Sequence, residues 1–142
     1  GKTDQITFST INCESPTSCD MQLTIRELDG NIQLQKTYGG TSYDKASAVL
    51  PISDGGYFLL GSTSSFGAGN YDMLLIRTDE KGTVIWQKTY GGFFNEYGEK
   101  MNLKDGLLSI EGLQQKCTTA NVSNDCYMEK WILLVDGNGN LS

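Results

Sequence analysis

Gln35-Lys36-Thr37-Tyr38-Gly39-Gly40 recurs unchanged as Gln87-Lys88-Thr89-Tyr90-Gly91-Gly92, 52 residues further on. A period of that size marks a chain assembled from copies of one small supersecondary unit. The phase holds outward from the hexapeptide. Asp20 matches Asp72, Gly30 matches Gly82, and Ile32 matches Val84. A third copy shows where Leu133-Leu134-Val135-Asp136 follows the sense of Leu75-Ile76-Arg77-Thr78-Asp79, and where Lys104-Asp105-Gly106 stands for Ser53-Asp54-Gly55-Gly56.

Within one unit, aliphatic and β-branched runs of strand length alternate with Gly, Asp and Asn turn signals, and nothing sustains a helical period. The central copy predicts four antiparallel strands, at residues 45–52, 57–62, 72–78 and 83–89. Pro51 cannot donate to a ladder, so the first of these is expected at a sheet edge. The first copy carries three such strands and the third copy three. The predicted fold is therefore all-β, with a partial unit at 1–40, a complete one at 41–92 and a partial one at 93–142. Four strands per period of roughly 40 to 50 residues is the spacing of propeller blades. The expectation is a β-propeller segment of about two and a half blades, completed by missing blades of the same polypeptide or by other chains. An open solenoid of β-repeats is the alternative.

The pattern Trp86-Gln87-Lys88-Thr89-Tyr90-Gly91-Gly92, with Asp44, Asp54-Gly55-Gly56-Tyr57 and Gly61-Ser62-Thr63-Ser64, resembles the repeats of bacterial secreted and cell-surface propeller proteins, common in Bacteroidetes-like bacteria. The resemblance covers the central copy. In the third copy, Phe93-Phe94-Asn95-Glu96 replaces the usual run of small residues. The resemblance implies an exported scaffold or binding module, and it transfers no catalytic residues.

Composition points the same way. The formal net charge of −6 argues against a nucleic-acid or anionic-membrane surface. No apolar run approaches the roughly 18 residues of a membrane span. No signal peptide is present, so the chain is expected to be mature or partial. Cys13 with Cys19 and Cys117 with Cys126 bracket the loop between the second and third strands of their own units, which predicts two local disulfides, although four cysteines allow three pairings. Disulfides imply an extracellular or cell-surface location. A zinc site is disfavoured by the spacings and by the absence of histidine.

Histidine-dependent nucleophile triads are excluded within this chain. Asp44 and Glu96 occupy equivalent places, and paired acids are the apparatus of glycoside hydrolysis; the competing reading is that each braces the turn after Gly-Gly. Asp136-Gly137-Asn138-Gly139-Asn140 has the alternating oxygens of a calcium loop, but Leu141 stands where that loop needs glycine, and a hairpin turn accounts for it. Asn121-Val122-Ser123 is a glycosylation sequon. Trp86 and Trp131 are read as core.

The loops between second and third strands and the connections between units are expected on one face, the usual place for function on a rigid scaffold. There Tyr43, Phe93, Phe94 and Tyr97, with Asp44 and Glu96, are the candidate ligand or partner residues. The expected function is a non-enzymatic protein-interaction scaffold in an extracellular or outer-membrane assembly, with no cofactor and no metal. Glycan binding is the alternative, and part of a carboxylate hydrolase a further one.

Overall fold

The computed structural model describes residues 4–15, 18–67, 70–118 and 125–142. Ten antiparallel strands form three sheets, with no α-helix among the described residues. The first sheet contains β1 (Gln5–Ser15), β2 (Ser18–Arg26) and β3 (Ile32–Tyr38). The central sheet contains β4 (Asp44–Pro51), β5 (Tyr57–Thr63), β6 (Asp72–Thr78) and β7 (Val84–Tyr90). The third contains β8 (Glu96–Lys104), β9 (Leu107–Cys117) and β10 (Cys126–Val135). Each sheet is a meander of sequential neighbours. The predicted strands of the central copy agree with the observed ones to within one residue at each end, and Pro51 closes β4 on the sheet edge. The three sheets do not close on one another into a ring. The sequon at 121–123 lies outside the described residues.

The sheets stack face to face around two apolar layers. Leu59, Leu74 and Ile76 of the central sheet meet Met21, Leu23, Ile25 and Tyr38 of the first. Phe58, Leu60, Met73, Leu75 and Tyr90 meet Leu108, Ile110, Leu133 and Val135 of the third. β5 and β6 therefore have no solvent face, which is why they read as continuous apolar runs. β2 is buried on alternate residues over its first half, the pattern of a strand with one covered face.

The recurrent tyrosine of the hexapeptide is the tie between units. Tyr38 Oη donates to the Gly82 carbonyl and Tyr90 Oη to the Gly139 carbonyl, each at 2.5 Å, and both rings are buried. Gly82 and Gly139 lie in the equivalent tight turns that follow β6 and β10. The first and second copies thus each anchor their last strand on the next copy's turn. Trp86 packs on the same layer as Tyr90, with its ring 6.1 Å from that of Phe58, as the core reading expected.

Burial pushes both phenols up to about 12 from 10.0, assisted by the negative charges of Asp79 at Tyr38 and Asp136 at Tyr90. The unfolded chain ionises these groups first, so the stability they contribute is full below pH 10 and is lost as pH climbs from 10 towards 12. Tyr90→Phe is expected to cost about 1–2 kcal/mol at neutral pH, because it orphans a buried carbonyl. It should also flatten the alkaline loss of stability, and urea unfolding at pH 7 and pH 11 checks both.

Candidate functional site

The connections between sheets run beside the ends of the strands they join, and the acids at the start of β4 and β8 organise them. Asp44 is fully buried. Its Oδ1 accepts the Thr63 hydroxyl at 2.5 Å, and its Oδ2 accepts the Gly40 amide and the Ser65 hydroxyl, both at 2.8 Å. The connection is zipped further by Ser64 N to Tyr43 O (2.8 Å) and Tyr43 N to Ser64 Oγ (2.9 Å). A side chain at Gly39 would place its Cβ 2.7 Å from Asp44 Oδ2, so the glycine is required by the approach of that carboxylate.

Glu96 starts β8 in the same place. It is only 5% exposed, yet its Oε2 has no hydrogen-bond partner among the described residues. The reason lies across the ladder. Asp44 pairs with Thr63, whereas Glu96 pairs with Gln114, whose amide is turned away to Glu129 Oε1 at 3.0 Å. Asp72 stands close by: a Cβ on Gly91 would lie 2.4 Å from Glu96 Oε2 and 3.2 Å from Asp72 Cγ. Burial pushes the Glu96 carboxyl above its usual 4.5; the negative charge of Asp72 adds to this, while the Gly92 amide and Lys116 act the other way.

A cleft of about 260 Å³ opens beside Glu96, lined among others by Phe93, Phe94, Gln114, Lys116 and Trp131. Phe93 is 72% exposed and stacks edge-on against Phe94 at 5.5 Å. Tyr43 and Tyr97 do not join that pair. They form a separate row through Tyr71, with centroid distances of 5.9 Å and 5.6 Å. Tyr97 also lines a second cleft, of about 450 Å³, with Lys45, Ser62 and Glu99. Burial raises the Tyr97 phenol, and Tyr71 and Glu96 add to that.

The six candidate residues are thus divided. Phe93, Phe94 and Glu96 share one cleft, Tyr43 and Tyr97 belong to the tyrosine row, and Asp44 is enclosed. Two further residues, Tyr71 and Gln114, escaped the sequence reading. Tyr71 stands 52 residues after Cys19, at the equivalent place in the central copy, and Gln114 is found only once the register is known; Trp131, read as core, serves both the core layer and the cleft wall. The disulfides Cys13–Cys19 and Cys117–Cys126 form as expected. Asp136 is committed to its own turn, where Oδ1 accepts the amides of Asn138 and Asn140 at 2.9 Å and these hold the carboxyl below its usual range.

No protein-family model matches the chain, and no curated protein matches it.

The two acids are expected to respond oppositely to neutralisation. Asp44→Asn places an amide against three donors and should cost about 2–4 kcal/mol. Glu96→Gln removes a buried charge one of whose oxygens has no hydrogen bond, and should be stabilising at pH 7 by about 1–2 kcal/mol. Because the folded-state pKa of Glu96 is raised, its native state keeps a proton that the unfolded chain loses, so wild-type stability falls as pH rises above 4.5 through the folded value. The gain from Glu96→Gln should therefore vanish near pH 4, and thermal melts of both variants across pH 4–7 measure it.

Proposed function

We propose that the chain is a non-enzymatic, extracytoplasmic repeat module of the β-propeller-blade type, which holds its loop end rigid and offers it to a protein partner. The location rests on the two disulfides, which fit an oxidising compartment. The blade reading rests on the four-stranded central meander, on the 52-residue repeat, and on β4 lying against β1 and β2 while β8 lies against β4, β5 and β6. The resemblance to bacterial surface repeats supports the same assignment.

One observation carries the interaction role. Phe93, an exposed aromatic side chain, sits on a connection pinned at one end by Gly91-Gly92 over Glu96 and at the other by Gln115 N to Asn95 O at 2.8 Å. A large apolar side chain held out on a fixed loop, with Phe94 and Tyr97 nearby in the chain, suits an interface anchor. Hydrolysis by an Asp44/Glu96 pair is disfavoured, because Asp44 has no exposure and both its oxygens are already engaged.

A second reading, glycan binding, is favoured by the cleft itself. Phe94 and Trp131 line it with aromatic rings, and Gln114, Gln115 and Glu96 line it with the amide and carboxylate groups that hydroxyls recognise.

Cross-linking on intact envelopes with wild-type chain and with Phe93→Ala and Tyr97→Ala separates the readings. A defined protein captured by wild type and lost with Phe93→Ala is the expected result. Saturable binding of a neutral oligosaccharide, measured calorimetrically and lost in the same variants, would transfer the role to glycan. Turnover of aryl glycosides abolished by Glu96→Gln would replace both readings.

A further inference from the structure

The outer face of the first sheet differs from every other sheet face in the stack. Register fixes the equivalences: Ser9 pairs with Gln22 as Gly61 pairs with Leu74 and Gly112 with Trp131. Thr7, Gln22 and Thr24 of the first sheet therefore stand where the central sheet has Leu59, Leu74 and Ile76, and where the third has Ile110, Trp131 and Leu133. In the central and third sheets these positions face the preceding sheet and belong to the apolar layers. In the first sheet all three are polar and already knitted within their own face: Gln35 Nε2 donates to Thr24 Oγ1 at 3.2 Å and Thr7 Oγ1 to the Thr24 carbonyl at 3.5 Å. Gln5, Thr7, Ser9, Gln35 and Thr37 are exposed on the same side.

A second, independent feature agrees. The turn carbonyls of Gly82 and Gly139 receive the tyrosine of the preceding copy. The equivalent carbonyl of the first sheet, Gly30 O, instead accepts Arg26 Nη1 of its own strand at 3.0 Å. The residues equivalent to Arg26 are Thr78, which donates to the Asp79 carbonyl, and Val135, which has no side-chain donor, so neither occupies its turn's socket. The first sheet has plugged its own.

We infer that the first sheet is a terminal cap: its outer face meets water and takes no further copy of the repeat, so the sheets form an open stack with a finished end and not a ring closed through this face. Terminal repeats of stacked arrays need such a polar outer surface. A segment preceding Gly1 in a longer polypeptide is compatible with this; what the face does not accept is another sheet packed as the central one is packed. The inference goes beyond the proposed interaction role and does not depend on it, since it concerns the opposite side of the first sheet from the neighbouring sheets and leaves the loop end untouched; of the blade reading it keeps the four-stranded unit and drops closure into a ring.

Thiol labelling tests it. The T7C variant, made both in the 142-residue chain and in the longest natural polypeptide that contains it, should react with a maleimide under native conditions about as fast as in denaturant. Protection of roughly a hundredfold or more in either form would overturn the inference, because it would mean that another sheet covers the face. Sedimentation of the T7C chain gives a second reading: self-association that blocks its modification would equally overturn the inference. A triple substitution to the central-sheet residues (T7L, Q22L, T24I) should turn the monodisperse cap into a self-associating face. Failure of that triple variant to associate, with its fold intact by circular dichroism, would show that polarity is not what ends the stack.

Discussion

The molecule depends on a central sheet that is apolar on both sides. β5 and β6 carry Tyr57-Phe58-Leu59-Leu60 and Met73-Leu74-Leu75-Ile76, and alternate residues of each run go to opposite neighbours. Exposed alone, such a sheet would leave two hydrophobic faces in water, and each buried aliphatic side chain is worth about 1.5–3 kcal/mol only when both neighbours are in place. The first and third sheets are thus conditions of the central sheet's existence. Tyr38 and Tyr90 fix their spacing with hydrogen bonds that non-directional apolar contact alone would not provide.

The same logic explains what the sequence revealed. A repeat of 52 residues with Gly and Asp turns exposed the strand count, the sheet boundaries, the edge position of Pro51 and the disulfide pairs, because each follows from local chemistry repeated in phase. How the sheets are terminated was also written there, as the alternation Gln22-Leu23-Thr24-Ile25 against the unbroken Leu74-Leu75-Ile76, but its meaning needs the register that tells which residue faces which neighbour. Glu96 was legible as the counterpart of Asp44. Its orphaned oxygen was not, because that depends on the rotamer of Gln114 across the ladder.

Asp44 and Glu96 show how one repeated position serves two ends. In the complete unit the carboxylate is saturated by hydroxyls and an amide, and it locks the loop to the strand. In the third unit the hydroxyls are replaced by Gln114 and Lys116, the loop is aromatic, and a cleft opens beside a buried carboxyl that burial keeps partly disposed to hold its proton. Divergence at the loop end, against constancy in the layers, is the distribution expected when a scaffold is retained and its display surface changes.

Both disulfides sit in the outer sheets, while the central sheet spans the same loop with Ser65 bonded to Asp44 and Tyr71 set between Tyr43 and Tyr97. A stack whose units touch only their neighbours frays from its ends inward, so the covalent links stand where fraying begins. Reduction would loosen the end sheets first and strip the cover from the most apolar strands in the chain. Such links persist under oxidising conditions, and there the cover over the apolar middle is secured twice, by packing and by covalent bonds.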